Sequence, residues 1–183
     1  MKFCSSCGAP VALRIPQGDD RERFVCNGCQ TIHYQNPKIV AGCIPEWQGR
    51  ILLCKRAIEP RYGLWTLPAG FMENGETTEQ AALRETWEEA RARVEITGLY
   101  ALFSIPHINQ VYLLFRGSII DGGYKPGPEI LESSLFKEPE IPWQLLAFQV
   151  MKETLQRYYS DKNSGNGFPL HRGEILKRPT RPA

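Results

Sequence analysis

The chain has no long hydrophobic run. Its longer apolar stretches, such as Val111 to Phe115, fall far short of the roughly 20 residues a membrane-spanning helix needs, so no membrane partner is expected. It also has no marked excess of either charge. With 22 basic against 20 acidic residues the net charge is +2, which gives little electrostatic reason to expect a nucleic-acid partner. The basic stretch Lys177-Arg178-Pro179-Thr180-Arg181-Pro182 is too short to alter that. No apolar leader core stands between Met1-Lys2-Phe3 and the first cysteine, and there is no internal repeat beyond two cysteine knuckles. These absences point to a cytoplasmic protein in a reducing compartment, where paired cysteines hold metal rather than form disulfides.

Four of the six cysteines fall in two knuckles, Cys4-Ser5-Ser6-Cys7 and Cys26-Asn27-Gly28-Cys29, with eighteen residues between them. Four thiolates at this spacing suit tetrahedral Zn²⁺ in a closed structural site, through Cys4, Cys7, Cys26 and Cys29. Cys43 and Cys54 lie in strand-like segments and read as small buried hydrophobes. A chain of 183 residues, 42% hydrophobic, can hold one good core plus a small module that zinc must support. The expected organisation is a zinc ribbon over 1–34, a main domain over 35–160 and a loop with a short tail over 161–183. The ribbon lacks a basic stripe with interleaved aromatics, so it carries no signal for nucleic acid.

The densest chemistry lies between Gly70 and Ala92. Thr77 followed three residues later by Gln80 predicts a capping box, and the Ala-, Leu-, Glu- and Arg-rich run after it predicts a helix starting near Thr77. At 3.6 residues per turn, Ala82, Leu83, Thr86, Trp87 and Ala90 share one side. Glu85, Glu88 and Glu89 converge on the other, forming an exposed acidic face. Ala81 lies on that face and is small enough to let a diphosphate approach. Like charges so spaced repel. Hard oxygen donors of this kind select Mg²⁺ (or Mn²⁺), and the preceding segment from Gly63 to Gly70 brings backbone oxygens to the helix start. A solvated acidic helix face is the alternative.

Gly70, then five residues, Glu76, then seven residues, then Arg84-Glu85-Thr86-Trp87-Glu88-Glu89 resembles the signature of the Nudix hydrolases. The resemblance implies that Glu85, Glu88 and Glu89 bind divalent metal, joined by a backbone carbonyl at Ala69 or Gly70, and that Glu76 and Arg84 brace the loop against the helix. It also implies an α/β fold with a mixed sheet between helices. Two positions depart from the signature: Thr86 replaces an aliphatic residue, and Arg91 replaces a glycine that ends the helix in a left-handed conformation. A side chain there costs about 1–2 kcal/mol. Strand character is expected over 38–44, 51–55, 94–102, 111–120 and 134–136. A late amphipathic helix is expected from Pro142 to Tyr159, followed by a loop from Ser160 to Gly167.

Within that superfamily the chain is similar to zinc-ribbon proteins typified by plant FAD pyrophosphatases that also accept ADP-ribose. The likeness rests on Tyr34-Gln35-Asn36-Pro37-Lys38, Leu53-Cys54-Lys55-Arg56, Pro126-Gly127-Pro128-Glu129, Ile141-Pro142-Trp143 and Lys177-Arg178-Pro179. It implies a small-molecule nucleotide substrate, most directly FAD or ADP-ribose, with a homodimer compatible. NADH and nucleoside-triphosphate pyrophosphatases are the alternatives within the enzymes, and a non-catalytic nucleotide sensor is the alternative outside them. Where NADH enzymes carry a Ser-Gln-Pro-Trp-Pro-Phe-Pro type sequence, this chain has Phe103-Ser104-Ile105-Pro106-His107-Ile108-Asn109. Arg56, Tyr62, Phe103 and His107 are the candidate substrate contacts. The carboxylate that positions the attacking water is left among Glu129, Glu132 and Glu88.

Overall fold

The computed structural model describes residues 1–177. Two compact units divide the chain, Met1–Pro37 and a larger one beginning at Lys38. In the first, strands β1 (Val11–Arg14), β2 (Arg23–Cys26) and β3 (Ile32–His33) form an antiparallel sheet of three. Its buried apolar content is small: Cys4, Val25 and Cys26 are enclosed, whereas Phe3, Leu13, Ile15 and Tyr34 are exposed. A core of that size cannot offset the chain entropy of folding, so the unit depends on its cysteines.

The second unit contains β4 (Lys38–Trp47), β5 (Arg50–Arg56), β6 (Trp65–Thr66), β7 (Ala69–Phe71), α1 (Thr78–Ala90), β8 (Val94–Ile105), β9 (Gln110–Ile119), β10 (Ile130–Phe136), α2 (Gln149–Ser164) and β11 (His171–Glu174). They build a mixed sheet of eight in the order β10-β5-β4-β9-β8-β11, with β6 added to β5 and β7 to β4. The β4–β9 and β8–β11 pairs are parallel, and the others are antiparallel.

Period-two alternation separates the two faces of this sheet. Val40 and Ile44 of β4, Ile51 and Leu53 of β5, and Tyr112 and Leu114 of β9 join a core with Val150, Met151, Leu155 and Tyr158 of α2. The residues between them, Ala41, Cys43, Leu52, Cys54 and Phe115, pack with Ala81, Ala82 and Ala90 of α1. The result is the expected mixed sheet between helices. Cys43 and Cys54 are fully buried, and burial pushes the Cys43 thiol up to about 12, which makes both inert hydrophobes.

Three local expectations need correction. α1 docks through its small residues Ala81, Ala82, Thr86 and Ala90, so Leu83 and Trp87 are left exposed and Ala81 is buried rather than open to a ligand. Short side chains let the helix lie close on the sheet, and Thr86 satisfies its hydroxyl on the Ala82 carbonyl at 2.7 Å. The late helix starts at Gln149, because Trp143–Leu145 forms a separate 3₁₀ turn after Pro142. It then runs through the expected loop to Ser164, ending where Gly165 takes a left-handed φ of 69°. Beyond it, β11 joins the sheet, so His171–Glu174, within the segment read as loop and tail, form part of the second unit. The last residues of the Lys177-Arg178-Pro179 motif lie outside the described residues. No helix among the described residues is long and apolar enough to cross a membrane.

Candidate active site and metal centres

The α1 start is fixed by a reciprocal cap. The Gln80 N–H donates to Thr77 Oγ1 at 3.2 Å, and the Thr77 N–H donates to Gln80 Oε1 at 2.8 Å. Before it, the loop is strapped onto the helix by a bidentate pair: Arg84 Nη2 lies 2.8 Å from Glu76 Oε1, and Arg84 Nε lies 3.0 Å from Glu76 Oε2. The same guanidinium donates to the Phe71 carbonyl at 3.1 Å, to Glu85 Oε1 at 2.8 Å and to Glu88 Oε2 at 3.2 Å. One cation thus closes the loop and orients two of the three glutamates.

The acidic face is graded rather than uniformly exposed. The Glu88 side chain is 53% exposed and that of Glu85 only 13%. Burial raises the Glu85 carboxyl despite its bonds to Arg84. Glu89 lies deepest; burial first, then the Glu85 charge, pushes it up to about 8. Its Oε2 is buried and has no hydrogen-bond partner. A buried carboxylate oxygen without a donor is costly, and a divalent cation removes that cost, so the donor set fits Mg²⁺ or Mn²⁺. Gly70 is needed at its position, because a Cβ there would collide with the Glu85 carboxylate.

A second loop closes the site. The Lys125 N–H donates to the Ala90 carbonyl and the Gly127 N–H to the Glu89 carbonyl, each at 2.8 Å, and the Ala57 N–H donates to the Glu129 carbonyl at 2.8 Å. Gly127 lies directly on the backbone of Glu88, where any Cβ would clash. Arg91 ends α1 with a left-handed φ of 48°, its N–H donating to Trp87 O. The helix therefore ends where the signature glycine would end it, with a side chain under strain.

Between these elements lies a cavity of about 860 Å³, whose lining includes Glu85, Glu88, Glu89 and Glu129 together with Ala69, Gly70, Arg56 and His107. Three expected contacts are not there. Glu132 sits exposed on β10, 3.7 Å from Lys55 Nζ, because the register of β10 turns it outward. Tyr62 is 58% exposed on its loop, outside the cavity lining. Phe103 is fully buried in the sheet core with the Arg157 guanidinium 5.1 Å from its ring. In their place the cavity takes Tyr112, Phe148, Met151 and Ile175. Strand alternation in β9 could have flagged Tyr112, which shares the α2 side of the sheet with Leu114. Ile175 had no local signal, since only the pairing of β11 with β8 brings it in.

In the first unit, Cys4 Sγ lies 3.7 Å from Cys29 Sγ, and Cys7 Sγ lies 3.4 Å from Cys26 Sγ. All four sulfurs fall within 4.8 Å of one another. Zn–S bonds of about 2.3 Å in a tetrahedron imply S···S edges of about 3.8 Å, close to these separations and far from a disulfide bond of about 2.05 Å. The Gly28 and Cys29 N–H groups both donate to Cys26 Sγ, each at 3.3 Å. Zn²⁺ fits this site. Among the described residues the α1 glutamates are not drawn together as closely as the cysteines; Arg84 bonds two of them, Glu85 and Glu88.

The fold and the carboxylate face define a class, the metal-dependent hydrolases of phosphoric anhydrides. The chain belongs to the Nudix family: residues 36–158 match the NUDIX domain, and residues 2–35 match the zinc ribbon described as Nudix N-terminal. Among solved structures it is 57% identical to a NUDIX hydrolase from Nitrosomonas europaea, with a TM-score of 0.93 over 97% of this chain and 100% of that one. It is also 32% identical to an ADP-ribose pyrophosphatase from Methanocaldococcus jannaschii, over 60% of this chain and 67% of that protein. A NAD-capped RNA hydrolase NudC from Photobacterium profundum is 31% identical over 76% of this chain and 51% of its own length. The chain spans about half the length of the NudC proteins it matches.

Proposed function

We propose that the chain is an Mg²⁺-dependent dinucleotide pyrophosphatase that splits FAD into FMN and AMP, and ADP-ribose into AMP and ribose 5-phosphate. The observation that carries this reading is Glu89 Oε2, a buried acceptor without a donor, on a residue that lines a cavity large enough for a dinucleotide. Glu85, Glu88, Glu89 and a backbone carbonyl at Ala69 or Gly70 would hold the ion, and Cys4, Cys7, Cys26 and Cys29 would hold a structural Zn²⁺. When bound, Mg²⁺ neutralises charge on the diphosphate and acidifies water.

The protein's own groups supply the rest. Arg84 orients Glu85 and Glu88, while Glu76 fixes Arg84. Glu129 is the base: its carboxylate makes no hydrogen bond or ion pair among the described residues and is free to take a proton from water at the cavity wall. Glu88 is less suited to that role because Arg84 already engages it. Water adds to one phosphorus, its proton goes to Glu129, and the bridging P–O bond breaks with its electron pair leaving on the other phosphate. Arg56 and His107 line the path of the substrate.

The relatives named for NAD-capped RNA favour a second reading, in which the diphosphate of an NAD group, free or at the end of an RNA, is cleaved. One panel decides: purified protein with Mg²⁺ is given FAD, ADP-ribose, NADH, NAD-capped RNA and nucleoside triphosphates, and the products are separated by chromatography. AMP with FMN or with ribose 5-phosphate is expected. Dominant release of pyrophosphate from triphosphates would overturn the reading, and binding without turnover would indicate a sensor.

A further inference from the structure

The apolar part of the cavity lining includes chain that lies beyond the NUDIX-domain match, which stops at residue 158. After α2 the chain turns at Gly165 and returns as β11, pairing His171–Glu174 in parallel with Ala101–Ser104 of β8. Ile175 follows directly. Its N–H donates to the Ser104 carbonyl at 2.9 Å. Its side chain, only 9% exposed, joins the same buried cluster as Tyr112 and Met151 and lines the cavity with them.

Nothing apolar within β11 explains its position, since its residues are His171, Arg172, Gly173 and Glu174. Beyond the strand ladder, the position is set by a polar clasp. Asp161 Oδ2, near the end of α2, lies 2.7 Å from both the Tyr100 hydroxyl and His171 Nε2, and the His171 and Tyr100 rings meet edge to face at 5.1 Å. The ladder and the clasp thus hold one aliphatic side chain at a fixed place in a cavity whose lining also carries the carboxylates Glu85, Glu88, Glu89 and Glu129.

We infer that Ile175 is a specificity-determining residue, the apolar wall on which the adenine ring of the substrate rests. The inference deepens the pyrophosphatase reading and rests on it. The carboxylates of the lining take the diphosphate with its metal, which leaves the apolar lining residues Tyr112, Phe148 and Ile175 for the uncharged ring. Adenine is the ring that FAD, ADP-ribose and NAD share.

Calorimetric binding of AMP and of ribose 5-phosphate to the full chain with Mg²⁺ tests this without relying on turnover. Ile175→Ala should weaken AMP about tenfold, as expected when methylenes are removed from a hydrophobic pocket, and leave ribose 5-phosphate unchanged. Ile175→Phe keeps apolar packing but fills the ring space, and it should weaken AMP at least as much. Ile175→Val should stay within about threefold of the wild type. In turnover of ADP-ribose, Ile175→Ala should raise KM and leave kcat within about twofold. AMP affinity unchanged in both the Ala and Phe variants would overturn the inference, as would an equal loss of ribose 5-phosphate, the mark of general loosening. A wild-type protein that binds AMP but hydrolyses no adenine dinucleotide would instead sink the pyrophosphatase reading and leave the wall standing.

Discussion

At the residue scale the site is organised around a cost. Glu89 is driven up to about 8 by burial and by Glu85, and one of its oxygens lacks a donor, an arrangement a metal-free protein has no reason to keep. Glu89→Gln removes the charge without altering shape, so the fold should persist with stability equal to or above that of the wild type. Turnover should fall by at least about a hundredfold; near-wild-type activity would exclude Glu89 as a ligand. Gly70→Ala should be as damaging for a different reason, because its Cβ would displace the Glu85 carboxylate. Mg²⁺ titration of activity should show a weaker apparent affinity, and an unchanged titration would mean that Glu85 is not held there. The carboxylates were legible because helical spacing fixes which residues share a face. Tyr62, Phe103 and Glu132 were misplaced because loop path and strand register decide where they point, and neither is encoded in a short local pattern.

At the scale of elements, α1 combines a strong start with a strained end. The capping box was readable from spacing and the Glu76–Arg84 strap from the resemblance to the Nudix signature, and both are formed. The extent of α2 was not, because the 3₁₀ turn after Pro142 and the polar final turn of the helix depend on packing against the sheet rather than on propensity. Arg91→Gly relieves the left-handed backbone and should raise stability by about 1 kcal/mol in urea denaturation, with turnover nearly unchanged. Lower stability would mean that the Arg91 guanidinium, 5.6 Å from the Trp87 ring, contributes more than the strain costs. The strap also makes a pH prediction. Arg84, and secondarily the Glu73 N–H, hold the Glu76 carboxyl down to about 2, below its unfolded value of about 4.3. A depressed folded pKa stabilises above the unfolded pKa and loses that contribution as pH falls through the folded one. The stability difference between wild type and Glu76→Gln should therefore be constant above about pH 5 and shrink toward pH 2. A difference independent of pH would show that the strap does not act through charge.

At the scale of the whole molecule, the two units are stabilised by different means, and the sequence showed this in its distribution of cysteine and apolar residues. The larger unit encloses apolar side chains on both faces of its sheet. The unit Met1–Pro37 encloses few, and its four gathered sulfurs stand where a core would be. For so small a sheet, metal binding and folding are one equilibrium. One Zn²⁺ per chain should be found by metal analysis, and Cys26→Ser should lose both the ion and the amide-exchange protection of β1 and β2, because Cys26 closes β2 and its sulfur accepts the Gly28 and Cys29 N–H groups. Chelation should have the same effect on the wild type, whereas β4, β5 and β9 should keep their protection, since their stability comes from buried surface that contains no metal-binding cysteine. Full zinc retention in a variant with Cys4, Cys7, Cys26 and Cys29 all changed to serine would place the ion elsewhere. Intact protection of β1 and β2 after zinc loss would show that these few buried residues suffice to fold the unit.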